Sequence, residues 1–318
     1  MPRSRILFVA ENITLAQVVR MVALARRLPA DRYEVHFACG DFPEIAFGET
    51  TFHKWPLLTI DKEDALRKVE RGERLYEFDV LSRYVDEELR LFNRVRPHLV
   101  VGDFRLSLAA SAPLMGIPLA TLINAYWSPY AVRDSFPVPD HPMVRFLGVE
   151  RASRYFPRAM PIVFEHFAEP INRLRRRLGL SAIGSLQQVL CYGDYTLYPD
   201  VPELCRTRHL PRKHRYLGPI TWAPALDWAN LGTELGDDRP LVYVTLGSSG
   251  RLSALDAVIE AVRDLPVNAL VATAGRADVR HPPPNVKVVD FAPGHRASRA
   301  AAFVVTNGGS STGYQALA

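Results

Sequence analysis

Along the first half of the chain, the hydrophobic pattern switches repeatedly between two periods. Arg5–Val9 is a short, dense apolar run that suits a strand buried on both faces. Thr14–Leu28 then places Leu15, Val18, Val19, Val22, Leu24 and Ala25 at helical offsets, with Thr14 positioned as an N-cap. Tyr33–Ala38 reads as a second strand. The Arg-, Glu- and Leu-rich stretch 63–95 reads as helix, broken near Gly72. His98–Gly102 is a further buried strand, Leu106–Leu114 a helix and Pro118–Asn124 a strand. This strand–helix alternation predicts an α/β fold with a parallel sheet and helices on both faces.

The middle of the chain is less regular. Residues 126–185 read as irregular and then helical, opening on a Pro- and aromatic-rich loop that contains Trp127, Tyr130, Phe136 and His141. Ile171–Leu180 is basic and amphipathic. A solvated helix face explains it, and contact with a membrane surface or an anionic ligand stays open. Val189–Leu197 reads as a strand and Tyr216–Ile220 as a short extended segment. Trp222–Arg239 is polar and without period, the pattern of a linker. A second alternating series follows, with strands at 241–246, 269–273, 286–290 and 303–306 and helices at 254–265 and 296–301. The stretch 307–313 opens a last helix, which reads as 314–318.

Composition narrows the class. The length of 318 residues suits two moderate domains or one large one. With 48% apolar and 23% charged residues the chain can bury a core, which excludes general disorder. Mean hydropathy is −0.04, and no apolar run reaches the ~18 residues of a membrane span. The apolar run at 6–10 is too short for a signal peptide, so the expected location is cytoplasmic. Cys39, Cys191 and Cys205 are far apart and show no zinc-finger spacing, so neither a disulfide framework nor a metal site is expected. The 39 basic and 34 acidic residues are interspersed, so the net charge of +5 implies a mixed solvated surface rather than a nucleic-acid partner.

Two Gly/Ser loops follow apolar strands in the second half: Gly247-Ser248-Ser249-Gly250 and Asn307-Gly308-Gly309-Ser310-Ser311-Thr312. Glycine lets backbone approach a ligand closely, and a helix N-terminus favours phosphate oxygens. On one parallel sheet, both loops would sit at its carboxyl edge. Neither matches GxxxxGK[ST], which argues against a P-loop. No GxGxxG follows the first strand, which argues against a nicotinamide enzyme there. Ordinary strand-to-helix turns remain the alternative.

On these residues the chain resembles the GT-B glycosyltransferases of the UDP-glucosyl/UDP-glucuronosyl type, in particular the bacterial macrolide-glycosyltransferase-like branch. The resemblance is carried by 6–20, 31–38, 100–105, 242–248 and 303–312. It implies two Rossmann-like doubly wound domains. The first, acceptor-binding, spans 1–221. A linker runs over 222–238, and an incomplete nucleotide-sugar-binding domain covers 239–318. It further implies an inverting, metal-independent, UDP-sugar-dependent hexosyltransferase without a cofactor. The partners would be a nucleotide sugar and a small acceptor, which the aromatic loop suggests is apolar. Gly247, Ser248, Ser249, Asn307, Gly308, Gly309, Ser310, Ser311 and Thr312 would hold the diphosphate, with Asn307 standing where the family often has His. Phe291 and Ala292 would meet the uracil, while Gly294 replaces a usual Gln.

Two departures from the family pattern stand out. Asp103 matches the family's orienting Asp, but Gln17 occupies the position of its His base. A neutral amide cannot take a proton, and a general base is worth roughly 10²–10⁴-fold. The family's donor motif also continues beyond the equivalent of Ala318, so the chain is expected to be C-terminally truncated. A non-catalytic remnant or acceptor-binding module is therefore the alternative to a weak enzyme. A nucleotide-sugar epimerase on the same fold lacks its acidic and His pattern here.

Overall fold

The computed structural model describes residues 3–133, 142–229, 238–248, 250 and 253–318. By contact, residues 219–318, with 14–23 and 43–48, group in one compact unit, and the rest up to 218 form the other.

The larger unit is built on a seven-stranded sheet. Its strands are β1 (Ser4–Ala10), β2 (Tyr33–Cys39), β3 (His53–Pro56), β4 (Leu99–Asp103), β5 (Leu119–Leu122), β6 (Tyr195–Tyr198) and β7 (His214–Tyr216). All are parallel, in the order β3-β2-β1-β4-β5-β6-β7. The chain direction across the sheet reverses between β1 and β4. That makes the carboxyl ends of these two strands the topological switch point, where open α/β sheets bind ligands. The central strands are apolar throughout because helices cover both faces: Leu7, Phe8, Val9, Val100 and Val101 are all buried.

The helices follow from capping and patterning. Helix α1 spans Leu15–Ala25, followed by the single turn α2 (Glu44–Phe47). Helix α3 (Lys62–Arg71) starts at Asp61, whose carboxylate accepts the Asp64 N–H, and ends at Gly72 with φ 67°. The expected break near Gly72 is therefore a left-handed C-cap. Helix α4 (Phe78–Val95) packs Leu81, Tyr84, Val85, Leu91 and Phe92 inward. Helix α5 (Leu108–Leu114) follows β4. The middle region is more helical than the sequence suggests, with α6 (Pro142–Leu147) and the long α7 (Val149–Arg177). Prolines at 157, 161 and 170 lie within α7 and disguise its pattern. Ile171 and Leu174, the apolar side of the basic amphipathic stretch, are buried in the core of this unit.

Two sequence expectations shift. The run 189–197 is not one strand. Ser185 and Gln188 form a capping box that starts α8 (Leu186–Leu190), and β6 begins only at Tyr195. The last extended segment is His214–Tyr216 rather than 216–220.

The smaller unit carries four parallel strands: β8 (Leu241–Thr245), β9 (Asn268–Ala272), β10 (Val286–Val289) and β11 (Phe303–Thr306). Their order is β10-β9-β8-β11. Helices α9 (Ser253–Val262), α10 (Gly294–Ala300) and α11 (Ser310–Leu317) connect or follow them. One core face joins Val242, Val244, Leu255, Ile259 and Val271; the other joins Tyr243, Leu270 and Ala297. The linker expected at 222–238 is described only in part, because 230–237 lie outside the described residues.

Candidate functional site

In the smaller unit, four loops leave the carboxyl edge of the sheet in strand order. Phe291 and Ala292 follow β10, Arg276 follows β9, Gly247 and Ser248 follow β8, and Asn307–Gly309 follow β11. Strands β8 and β11 are direct neighbours, with Thr245 in register with Thr306. The two glycine loops singled out in the sequence therefore emerge side by side. A Cβ placed on Gly247 would lie 3.8 Å from Asn307 Oδ1. Ser249 lies outside the described residues, as do Phe136 and His141 of the Pro-rich loop.

The backbone of both loops turns through conformations that ordinary residues avoid. Gly247 has φ 59° and Gly308 φ 78°, both in the left-handed region that favours glycine. A Cβ at Gly308 would meet nothing within 4 Å, so the constraint there is conformational rather than steric. The Asn307 side chain accepts the Gly309 N–H at 3.2 Å and so fixes the turn into α11. Gly309 is the N-cap of α11 and, lacking a side chain, adds no cap of its own. Ser310, Ser311 and Thr312 form the first turn of α11, earlier than the sequence pattern placed the helix, so their backbone sits at its positive end.

Arg276 was missed in the sequence. Its guanidinium donates to the Gly250 carbonyl at 2.8 Å and lies 3.5 Å from that of Gly247, tying the loop after β8 to the loop after β9. The preceding Ala274 has φ 56°, a strained value for a residue with a side chain. Gly294 is closely packed: a Cβ there would lie 2.5 Å from Gln315 Oε1. A Gln at this position would require that neighbour to move.

The larger unit has its own concentration of buried charge at the β1/β4 switch point. Glu11 follows β1, and Arg105 follows Asp103, the last residue of β4. Arg105 donates to Glu88 Oε1 at 2.7 Å, to Glu11 Oε2 at 3.0 Å and to the Leu58 carbonyl at 2.7 Å. Ser107 and Ser111 hydroxyls donate to Glu88 at 2.5 and 2.6 Å, and the Tyr84 hydroxyl donates to Glu11 at 3.1 Å. The Arg105 guanidinium also lies 3.7 Å above the Tyr84 ring. Burial pushes the Glu11 carboxyl pKa up, against the pull of Arg105. Burial opposes the Arg105 charge, yet Glu11 and Glu88 hold its pKa above the ordinary value.

Asp103 is fully buried, and its carbonyl accepts the Glu11 N–H at 3.2 Å. Phe104 has φ 54°, a second strained residue at a strand's carboxyl end. Its ring meets Trp127 edge-on at 6.1 Å, so aromatic side chains gather beyond β4 and β5. Gln17 lies in the first turn of α1, is buried, and its side-chain oxygen accepts the Thr14 N–H at 3.1 Å. That oxygen therefore serves the helix terminus.

No family model matches the chain. It is 46% identical over 317 residues to a PGL/p-HBAD biosynthesis glycosyltransferase of Mycobacterium tuberculosis, covering 99% of this chain and 74% of that relative. The chain belongs to this family of glycosyltransferases. A PGL/p-HBAD biosynthesis rhamnosyltransferase of Mycobacterium bovis is also 46% identical, over 99% of this chain and 70% of its own length. A further relative from Mycobacterium bovis, 45% identical over 82% of this chain and 71% of its own length, is named an inactive PGL/p-HBAD biosynthesis glycosyltransferase.

Among solved structures, this glycosyltransferase is similar to spinosyn rhamnosyltransferase complexed with spinosyn aglycone. The TM-score is 0.64 at 17% identity, over 98% of this chain and 77% of that one. It is also similar to a Streptomyces glycosyltransferase complexed with thymidine diphosphate, with TM-score 0.63 at 18% identity, over 98% and 79% of the two chains. These likenesses show the GT-B fold, with its two parallel sheets. Among the described residues, no helix is long and apolar enough to cross a membrane.

Proposed function

We propose that this glycosyltransferase binds a UDP-sugar through the smaller unit and transfers the sugar, with inversion and without a metal, to a hydroxyl of a small apolar acceptor held by the larger unit. The observation that carries the reading is the pair of glycine loops after the neighbouring strands β8 and β11, one of them leading into the first turn of α11. Backbone N–H groups and the helix dipole there would take the charge of the departing diphosphate, the work a metal does elsewhere. Gly247, Ser248, Ser249 and Asn307 to Thr312 would hold the phosphates. Phe291 would stack on the base and Ala292 would bond its edge. The neighbour bound to thymidine diphosphate supports a nucleoside diphosphate of this kind and leaves uridine as the reading of this chain. The neighbour bound to an aglycone, together with the Phe104–Trp127 cluster, supports an apolar acceptor.

Gln17 favours a second reading, an acceptor-binding chain with little or no transfer activity. An amide has no proton-accepting role, and this one is engaged with the Thr14 N–H. The relative named inactive is compatible with it. Comparing the intact chain with its Gln17→His variant for release of UDP in the presence of small apolar hydroxyl acceptors decides between the two. A lost base predicts a gain approaching ~10²-fold or more. An unchanged, near-zero rate in both proteins would place the chain on the acceptor-binding side.

A further inference from the structure

A cluster of metal-ligating side chains lies in the larger unit, away from the carboxyl edge that holds Glu11 and Asp103. Glu34 and His36 are two residues apart on β2, so they share one face of the sheet. His53 opens β3 and is the direct register partner of His36. The three side chains therefore converge because strand periodicity and parallel pairing bring them to one spot.

Their ligand atoms lie close enough together for one ion to reach all three. Glu34 Oε1 is 3.1 Å from His36 Nε2 and 3.4 Å from His53 Nε2, and all three ligand atoms lie within 4.8 Å of one another. Tetrahedral zinc with ligands about 2.0–2.1 Å away separates those ligands by about 3.4 Å. The imidazoles stack at 4.7 Å with 23° between their planes. Glu34 and His53 also line a pocket of about 380 Å³, which provides the entry path an ion and a fourth ligand need.

We propose that Glu34, His36 and His53 form a zinc site of the two-histidine, one-carboxylate type, with one open position. Two imidazoles and one carboxylate suit zinc better than calcium or magnesium, which take oxygen ligands. The site is independent of the donor loops and of the sugar-transfer reading.

The site carries an internal reporter. The Trp55 indole N–H donates to His36 Nδ1 at 3.0 Å. Indole can only donate, so Nδ1 is the acceptor and the proton of neutral His36 sits on Nε2, facing Glu34. Zinc at Nε2 requires that proton to move to Nδ1, with no change in the net proton count. Trp55 then loses its acceptor. Zinc binding therefore breaks the Trp55–His36 bond and changes the environment of that indole.

The test is a zinc titration of the chelator-treated intact chain, followed by calorimetry and tryptophan fluorescence. The expected result is one equivalent bound, with a saturable fluorescence change. His53→Ala should weaken binding by roughly tenfold or more and leave thermal stability unchanged, since this side chain is 55% exposed. Trp55→Phe removes the competing donor and should bind zinc at least as tightly, with the fluorescence change gone. Failure of the wild-type chain to bind zinc, or equal affinity in His53→Ala, would overturn the proposal.

Discussion

Arg105 has the most consequential environment of any single side chain in the larger unit. It is buried between two carboxylates and reaches a backbone carbonyl as well. Removing a buried charge strands its partners at full desolvation cost. Arg105→Met should therefore destabilise this unit by about 3–5 kcal/mol, measured by urea unfolding. Arg105→Lys keeps the charge but loses the planar fork, and should fall between the two. His214 supplies a second residue-scale prediction. It is buried beside Tyr198, whose hydroxyl lies 2.6 Å from Nδ1, and burial with nearby Lys213 depresses its pKa to about 4. Between pH 6.5 and 4 the unfolded chain binds the extra proton, so stability rises with pH. The contribution is fully present above pH 6.5, falls by about 2 kcal/mol by pH 5, and levels off below pH 4. In His214→Gln, unfolding measured at pH 7 and pH 5 should lose most of that difference.

At the scale of elements, the loop between β11 and α11 follows the strand the sequence pointed to, though the helix begins at Ser310, four residues earlier than the pattern placed it. Gly308 holds φ 78°. A β-branched residue there is strained, so Gly308→Val should cost more than the ~1 kcal/mol of an ordinary glycine replacement. It should also abolish nucleotide binding while the sheet stays folded, as circular dichroism would report. Other elements were harder to read. Strand β3, His-Lys-Trp-Pro, carries a charge and a proline and is mostly exposed, so no period marks it; parallel pairing with β2 creates it. The stretch 189–197 looks like one apolar run, but the capping box at Ser185 and Gln188 spends its beginning on a helix. Within α7 the prolines hid a continuous helix.

For the molecule as a whole, the two parallel sheets and their order along the chain were legible because buried strands and amphipathic helices leave distinct periods. The glycine loops were legible because each closes such a strand. The Glu11–Glu88–Arg105 network was not, since its members are joined only by the crossing of β1, α4 and β4. Arg276 gave no sequence signal beyond the turn in which it sits, and its role depends on β8 and β9 being neighbours. A ligand that binds only the folded protein stabilises it by mass action. UDP at about 100 times its Kd should add about 2.7 kcal/mol to the unit that holds the two glycine loops, visible as a concentration-dependent Tm.

The central claim is that these loops hold a nucleoside diphosphate. Titrating the isotopically labelled intact chain with UDP, while following backbone amide resonances, tests it directly. The account predicts saturable shifts centred on Gly247, Ser248 and Asn307 to Thr312, with thymidine diphosphate binding more weakly. A well-folded chain whose amide resonances in these two loops do not respond to either nucleotide would contradict it.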